Sequence, residues 1–376
     1  MPGHAPARVY LHTKASSCYG PNEGLPELRV ALRTKVAKQN GLADHDIFIT
    51  NGGNQAYMNL VISLVDESDK TVLFAPAYFD HIMSHQMVGG AANIIYGECD
   101  PSTLKPSVQW LRNALAAEPG RIKMVTVVNP NNPTGVLLSK AELQELADVC
   151  ADGAAWLVLD NTYEDFANFD DIVATSAVGN GAPPTTCGFQ CVSAPHVVHI
   201  FSFSKAYGMM GWRIGYIVYH DPDGDGGLLG PQLLKTQDTM AICVNQPAQH
   251  AALCVVNEAA AGGTFAKDHI AALQKNRELL MDALSVLPPK SVVGGFAIYF
   301  WARLPPGCED DVHTVEFLVK HFGVLLVPGS SCGVEGHVRI AFGNVVGDAM
   351  VDAAGRLKRG LTYLVEHGLE EPGAPR

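Results

Sequence analysis

The apolar positions of this chain fall into two alternating rhythms, one helical and one of short continuous runs. Residues 25–39, "LPELRVALRTKVAKQ", repeat apolar side chains at helical spacing and stop at "NGL". "DIFIT" then reads as a short strand, "NGGNQ" as a turn and helix entry, and "AYMNLVISLV" as the continuing helix. "KTVLFAPAY" predicts a buried strand ending at Pro76, and "AANIIYG" another. "PSVQWLRNALAA" predicts a helix, and "IKMVTVVNP" a strand rich in β-branched residues. "SKAELQELADVCADG" predicts a helix with Ser139 as N-cap and Glu142 three residues on, a capping box. "AWLVLDNTY" and "VVHIFSFSK" predict two further strands. Strands alternating with helices of this length require an α/β fold, with a mostly parallel sheet flanked by helices on both faces.

The texture changes near residue 265. "FAKDHIAALQKNRELLMDALSVL" predicts one long helix that bridges two domains. "FAIYFWARL", "GVLLVPGSSCG" and "HVRIAFG" predict a small antiparallel sheet, closed by the helix "VGDAMVDAAGRLKRGLTYLVEHG". The expected organisation is a large domain over residues 30–270 and a smaller α+β domain over 271–376, with residues 1–29 packing nearby. Residues 172–195, with Gly, Pro, Ser and two Cys, predict a long surface loop.

Composition narrows the partners. Of the 376 residues, 47 % are hydrophobic and 17 % charged, which fits an enzyme-sized globule with a large core. The formal net charge of -12, without a dense Lys/Arg run, argues against nucleic-acid and membrane-surface roles. No apolar run reaches the roughly 20 residues of a membrane span. Nine irregularly spaced cysteines read as reduced thiols, and no apolar secretory stretch opens the chain, so a cytoplasmic location is expected.

Two motifs fail on their own terms. "GDGGLLG" at 224–230 lacks the third glycine of a dinucleotide fingerprint, since Leu229 stands there. Cys187, Cys191, His196 and His199 are spaced loosely like a zinc site, but the two histidines point to opposite faces of a strand, so no metal is expected. More informative are four strand ends. "DIFIT" leads into "NGGNQ", "VTVV" into "NPNNPTG", "WLVL" into "DNTY" and "HIFSF" into "SKAYG". In an open parallel sheet, ligands collect at the carboxyl ends of strands.

These motifs resemble the pyridoxal-phosphate enzymes of the aspartate aminotransferase type, fold type I, class I/II. "NPNNPTG", "DNTYEDF" and "SFSKAYGMMGWRIGY" match that family's central motifs in order. "YGPNEGLPELRVAL" matches its N-terminal motif and "HVRIAFG" its C-terminal one. By texture, "GGNQAYMNL" and "YFDHIMSHQM" bring the chain nearest to plant-type aromatic or methionine aminotransferases. The resemblance runs from about residue 19 to the end. The family's longer segment before this point is not matched, so either a truncated sequence or a more open site is expected.

The resemblance implies a role for each residue. Lys205 is the amine that joins the cofactor aldehyde and then moves a proton as base and acid. Asp160 pairs with the ring nitrogen, and Tyr163 and Asn132 bond the ring oxygen. Gly53, Asn54, Ser202, Ser204 and Arg213 bind the phosphate. Tyr78 stacks on the ring, and Arg339, with Asn132, takes the substrate carboxylate. Tyr19 reaches the phosphate of the neighbouring subunit in a homodimer. The implied activity is ping-pong transfer of an amino group between an aromatic amino acid or methionine and a 2-oxo acid. A carbon–sulfur lyase, an aminocyclopropane-carboxylate synthase and a non-catalytic cofactor-binding descendant remain alternatives on the same residues.

Overall fold

Eleven strands make two sheets in the computed structural model, which describes residues 17–168 and 189–371. The larger sheet holds β1 (His45–Thr50), β2 (Lys70–Phe74), β3 (Ile94–Gly97), β4 (Ile122–Val128), β5 (Trp156–Asp160), β6 (Val197–Ser202) and β7 (Gly215–His220). Their order is β1-β7-β6-β5-β4-β2-β3. Only β7 runs against the rest, pairing antiparallel with both β6 and β1. The carboxyl ends of the other six therefore share one edge, and β7 begins there.

The helices are α1 (Pro26–Asn40), α2 (Gly53–Leu64), α3 (Phe79–Met87), α4 (Val108–Ala117), α5 (Lys140–Asp152), α6 (Gly230–Met240), α7 (Gln246–Ala260), α8 (Phe265–Ala272), α9 (Gln274–Leu284), α10 (Asp311–Phe322) and α11 (Asp348–His367). Alternate strand residues feed different layers. Leu157 and Leu159 pack under α4 and α5, and Ile47, Ile49 and Val218 pack with Leu28 and Leu32 of α1. Phe48, Val158, Ile200 and Ile217 turn to the opposite face, where Tyr57 and Leu60 of α2 and Leu233 of α6 cover them. Both faces are dry, which is why these strands read as unbroken Val/Ile/Leu runs. The capping box forms as expected: Ser139 Oγ accepts from Glu142 N–H while the Glu142 carboxylate accepts from Ser139 N–H.

The smaller sheet holds β8 (Val292–Gly294), β9 (Tyr299–Arg303), β10 (Val327–Pro328) and β11 (His337–Ala341), all antiparallel in the order β10-β11-β9-β8. Its core includes Leu280, Phe300, Phe342, Leu357 and Leu361, and Tyr163 and Phe166 of the segment after β5 join it.

Three differences from the sequence pattern stand out. The expected long helix over 265–287 is two helices meeting at Leu273, whose N–H bonds Ile270 O three residues back. That tightened turn brings Leu273 into the core; no Gly or Pro marks it. The expected strand "GVLLVPGSSCG" shrinks to Val327–Pro328, followed by a tight turn at Gly329–Cys332. β7, β8, α3, α6, α7 and α10 are elements the hydrophobic pattern does not announce. Most of the expected 172–195 loop, with Cys187, lies outside the described residues. Among the described residues no helix is long and apolar enough to cross a membrane.

The "NPNNPTG" loop is wedged against the β8–β9 turn. Phe296 N–H donates to Gly135 O at 3.1 Å, and Gly294, at φ 101°, comes so close that an added Cβ would collide with Thr134 O. Gly294→Ala is therefore expected to cost roughly 2–3 kcal/mol, through strain and a displaced loop. Loss of the Ser139 cap in Ser139→Ala should cost only about 1 kcal/mol. Thermal unfolding of both variants checks the ranking, and an unchanged midpoint for Gly294→Ala would count against the wedge.

Candidate active site

Eleven of the sequence-predicted residues line one cleft at the carboxyl edge of the large sheet: Gly53, Asn54, Tyr78, Asn132, Asp160, Tyr163, Ser202, Ser204, Lys205, Arg213 and Arg339. Its open volume is about 980 Å³. They arrive from several strand ends. β1 leads into Gly53 and Asn54, β4 into Asn132, β5 ends on Asp160, and β6 leads through Ser202 and Ser204 to Lys205. Arg213 returns to the same edge because the chain reverses after β6 and enters β7 antiparallel at Gly215. Tyr19 is not in this cleft; it stands 80 % exposed.

Asp160 is buried, and burial by itself would raise its pKa. The bonds it receives outweigh that and hold it below the usual carboxylate value. His81 Nε2 lies 3.2 Å from Oδ2, while Thr162 donates to Oδ1 through its hydroxyl at 2.7 Å and its N–H at 3.0 Å. His81 is in turn backed by Tyr57, whose ring stacks on it at 3.8 Å. Tyr57 OH bonds Thr126 Oγ1 at 2.9 Å and His85 Nε2 at 3.1 Å. Burial and neighbouring His81 lower the His85 pKa to about 4, so its ring is neutral at pH 7.

Lys205 has a lowered pKa, chiefly from burial and then from the charges of Arg339 and Arg213; Asp160 opposes the shift. A lowered pKa makes a lysine amine a better nucleophile and base. Tyr163 is buried, and burial followed by Tyr299 pushes its pKa well up, so it is a hydroxyl donor and not a phenolate.

One end of the cleft is built for an anion. α2 starts at Gly53 with no side-chain cap, leaving first-turn N–H groups open. Gly52, at φ 85°, lets Arg213 lie against the backbone; a Cβ there would strike its guanidinium. Arg213 donates to Met210 O at 2.9 Å, and Ser202 and Ser204 stand beside it in the lining. At the other end Arg339 donates from Nη1 to Asn132 Oδ1 at 2.7 Å, and its buried Nε has no partner. Arg339 lines the cleft, and a guanidinium there suits a carboxylate. Between them Tyr78, Asp160 and Tyr163 offer an aromatic face, an anion and a hydroxyl. A flat, cationic ring bearing a phosphate fits that donor set.

Five lining residues escaped the sequence reading: Phe79, His81, Thr162, Met210 and Tyr299. His81 is three residues beyond Tyr78, a helical-face spacing that could have flagged it. Thr162, two residues past Asp160, carries the signature of a local turn that bonds a carboxylate. Tyr299 had no local signal. Of the loose Cys/His grouping, Cys187 lies outside the described residues, His196 Nε2 bonds Ala147 O at 2.8 Å, and His199 is buried between Asn161 and Val192 O. Among the described residues no His/Cys/Asp/Glu group is arranged for a metal ion.

Comparison with known proteins agrees with this geometry. A sequence model for "Aminotransferase class I and II" matches residues 7–356, beginning earlier than the motif resemblance at residue 19. The chain is 40 % identical over 357 residues to an aromatic aminotransferase, ISS1, of Arabidopsis thaliana, covering 94 % of this chain and 84 % of that one. It is 29 % identical over 328 residues to an aspartate/prephenate aminotransferase of Thermus thermophilus, covering 86 % and 78 %. The solved structure of a Thermus thermophilus aspartate aminotransferase double mutant superposes with a TM-score of 0.78 at 26 % identity, covering 94 % of this chain and 86 % of that one. A match of this extent makes the chain a member of the class I and II aminotransferases, which work with pyridoxal phosphate.

Proposed function

We propose that this aminotransferase moves an amino group between an aromatic amino acid, with methionine as a further donor, and a 2-oxo acid, in two half-reactions. The observation that carries the reading is the cleft itself, where a half-buried lysine of lowered pKa stands with an ionised aspartate between two arginines. Support for the aromatic donor comes from the 40 % identical relative and from the Tyr78, Phe79 and Met210 side chains in the lining.

Pyridoxal phosphate, when bound, supplies the aldehyde and the electron-accepting ring. The residues do the rest. Gly53, Asn54, Ser202, Ser204 and Arg213 bind the phosphate. Tyr78 packs on the ring, and Asp160, kept ionised by His81 and Thr162, holds a proton on the ring nitrogen. Tyr163 and Asn132 donate to the ring oxygen. Lys205 Nζ would take the proton from the substrate's α-carbon and hold it for return. Arg339, oriented by Asn132, grips the α-carboxylate. We read residues 30–270 as the cofactor domain and 271–376 as the domain that carries Arg339. We further infer a homodimer in which exposed Tyr19 reaches the partner's phosphate site, and a cytoplasmic setting, in keeping with the free cysteines among the described residues.

A donor panel tests the reading directly. Phenylalanine, tyrosine, tryptophan and methionine should bleach the bound-cofactor absorbance far faster than aspartate or glutamate. If every amino acid leaves the spectrum unchanged, the enzyme reading fails; sulfur loss from methionine or its derivatives would favour a lyase.

Lys205→Ala should lower turnover at least about a hundredfold, the usual size of a lost acid–base group. Cofactor should still bind through the phosphate cradle, as equilibrium dialysis would show. The same lysine sets a stability trend. Its folded pKa lies below the ordinary 10.5, so between the two values the unfolded chain binds the extra proton. Wild-type apoprotein should therefore gain stability as pH rises through that window, and Lys205→Met should lose this gain. Arg339→Lys removes the two-pronged grip and should raise KM roughly tenfold or more, with a smaller change in kcat. An unaltered KM would mean that the carboxylate binds elsewhere.

A further inference from the structure

We propose that Tyr299 is a positioning residue that couples the arginine for the substrate carboxylate to the tyrosine that faces the cofactor's ring oxygen. This rests on the assignment of the cleft given above. Tyr299 begins β9, and Arg339 lies on the neighbouring strand β11. The direct cross-strand partner of Arg339 is Trp301, so Tyr299 is its diagonal neighbour on the same face. The guanidinium carbon stands 4.5 Å from the centre of the Tyr299 ring. Across the cleft the Tyr299 hydroxyl meets the Tyr163 hydroxyl at 2.7 Å, with the rings edge to face at 5.5 Å. One side chain thus touches both ends of the reacting centre, one contact through its ring face and the other through its oxygen.

The two contacts do different work. A cation over an aromatic face is held without using its N–H groups. Arg339 therefore keeps Nη1 for Asn132 and leaves the rest of its guanidinium for the incoming carboxylate. The hydroxyl contact fixes which way the protons point. Tyr163 has one proton and two acceptors, the oxygen of Tyr299 and the ionised ring oxygen of the cofactor. The charge-assisted bond is the stronger, so Tyr163 donates to the cofactor and Tyr299 donates to Tyr163. Bonds in such a chain polarise one another, which makes Tyr163 a better donor. A better donor draws charge from the ring oxygen and lowers the pH at which the bound cofactor gains a proton. The titratable groups facing Tyr299 are Tyr163, Tyr78, Asp160, Arg339 and Cys332. Of these, only Tyr163 is bonded to its hydroxyl.

Tyr299→Phe and Tyr299→Leu holoenzymes separate the two contacts. The readouts are a spectrophotometric pH titration of the bound cofactor, and KM and kcat with an aromatic donor. Tyr299→Phe keeps the ring and loses the bond. Its titration midpoint should move up by about half a pH unit, which is one neutral hydrogen bond expressed on the pH scale, with KM within about twofold of wild type. Tyr299→Leu should show the same midpoint shift and also a KM raised roughly fivefold, from the lost cation–ring contact. A wild-type midpoint in Tyr299→Phe overturns the hydroxyl link. Equal KM values in the two variants overturn the ring link. Wild-type protein is titrated first: if it binds no cofactor, the assignment of the cleft fails together with this proposal, whereas normal wild-type behaviour with unmoved variants defeats this proposal alone.

Discussion

A carboxylate kept ionised inside the protein is the constraint around which the cleft is arranged. Asp160 is the last residue of a strand buried on both faces, where an unpaired charge would cost several kcal/mol. The chain meets that cost locally and at a distance. Thr162, two residues on, gives two bonds to one oxygen, and His81 from α3 faces the other. His81 is held by Tyr57, which is itself anchored to Thr126 and His85. The support therefore runs three side chains deep, from the helix after β1 through the helix after β2 to the end of β5. A rigid shell of this kind keeps a charged group in one geometry while a ligand arrives and leaves.

The anion end of the cleft depends on a reversal of chain direction. Six strands deliver their carboxyl ends to one edge, and the seventh begins there because it alone is antiparallel. The turn between β6 and β7 thus carries both Lys205 and Arg213 to the same place. Arg213 sits in the left-handed backbone region at φ 52°, which costs about 1–2 kcal/mol for a residue with a side chain. Gly52 opposite has no Cβ to obstruct the guanidinium. Strain on one side and a missing side chain on the other are what let a cation lie along the open start of α2.

The carboxylate end is built across the seam between the two sheets. Arg339 comes from the small sheet and Asn132 from the large one, and their 2.7 Å bond joins them over the cleft. The same seam is closed beside it by the Gly135–Phe296 backbone bond and the close approach at Gly294. Movement between the sheets would therefore shift Arg339 and Tyr299 relative to Asp160 and Tyr163.

Much of this was legible in the amino-acid sequence. Periodicity alone located β4, β5, β6 and α5, because a strand dry on both faces must be written in continuous apolar residues and a helix end in capping residues. The strand-end motifs, together with the family resemblance, placed Lys205, Asp160 and Arg213 on one edge, since a parallel sheet sends all its carboxyl ends the same way. What the sequence could not carry is contact between residues far apart in the chain. His81 reaching Asp160, Tyr299 reaching Tyr163 and the unpaired Nε of Arg339 depend on how α3 and the small sheet pack against the large one. The break at Leu273 is of the same kind, a helix bent by burial with no breaker written into it. Local sequence determines which backbone a segment can adopt and which groups it offers; only tertiary packing decides which of those groups meet, because that choice is made by the whole core at once.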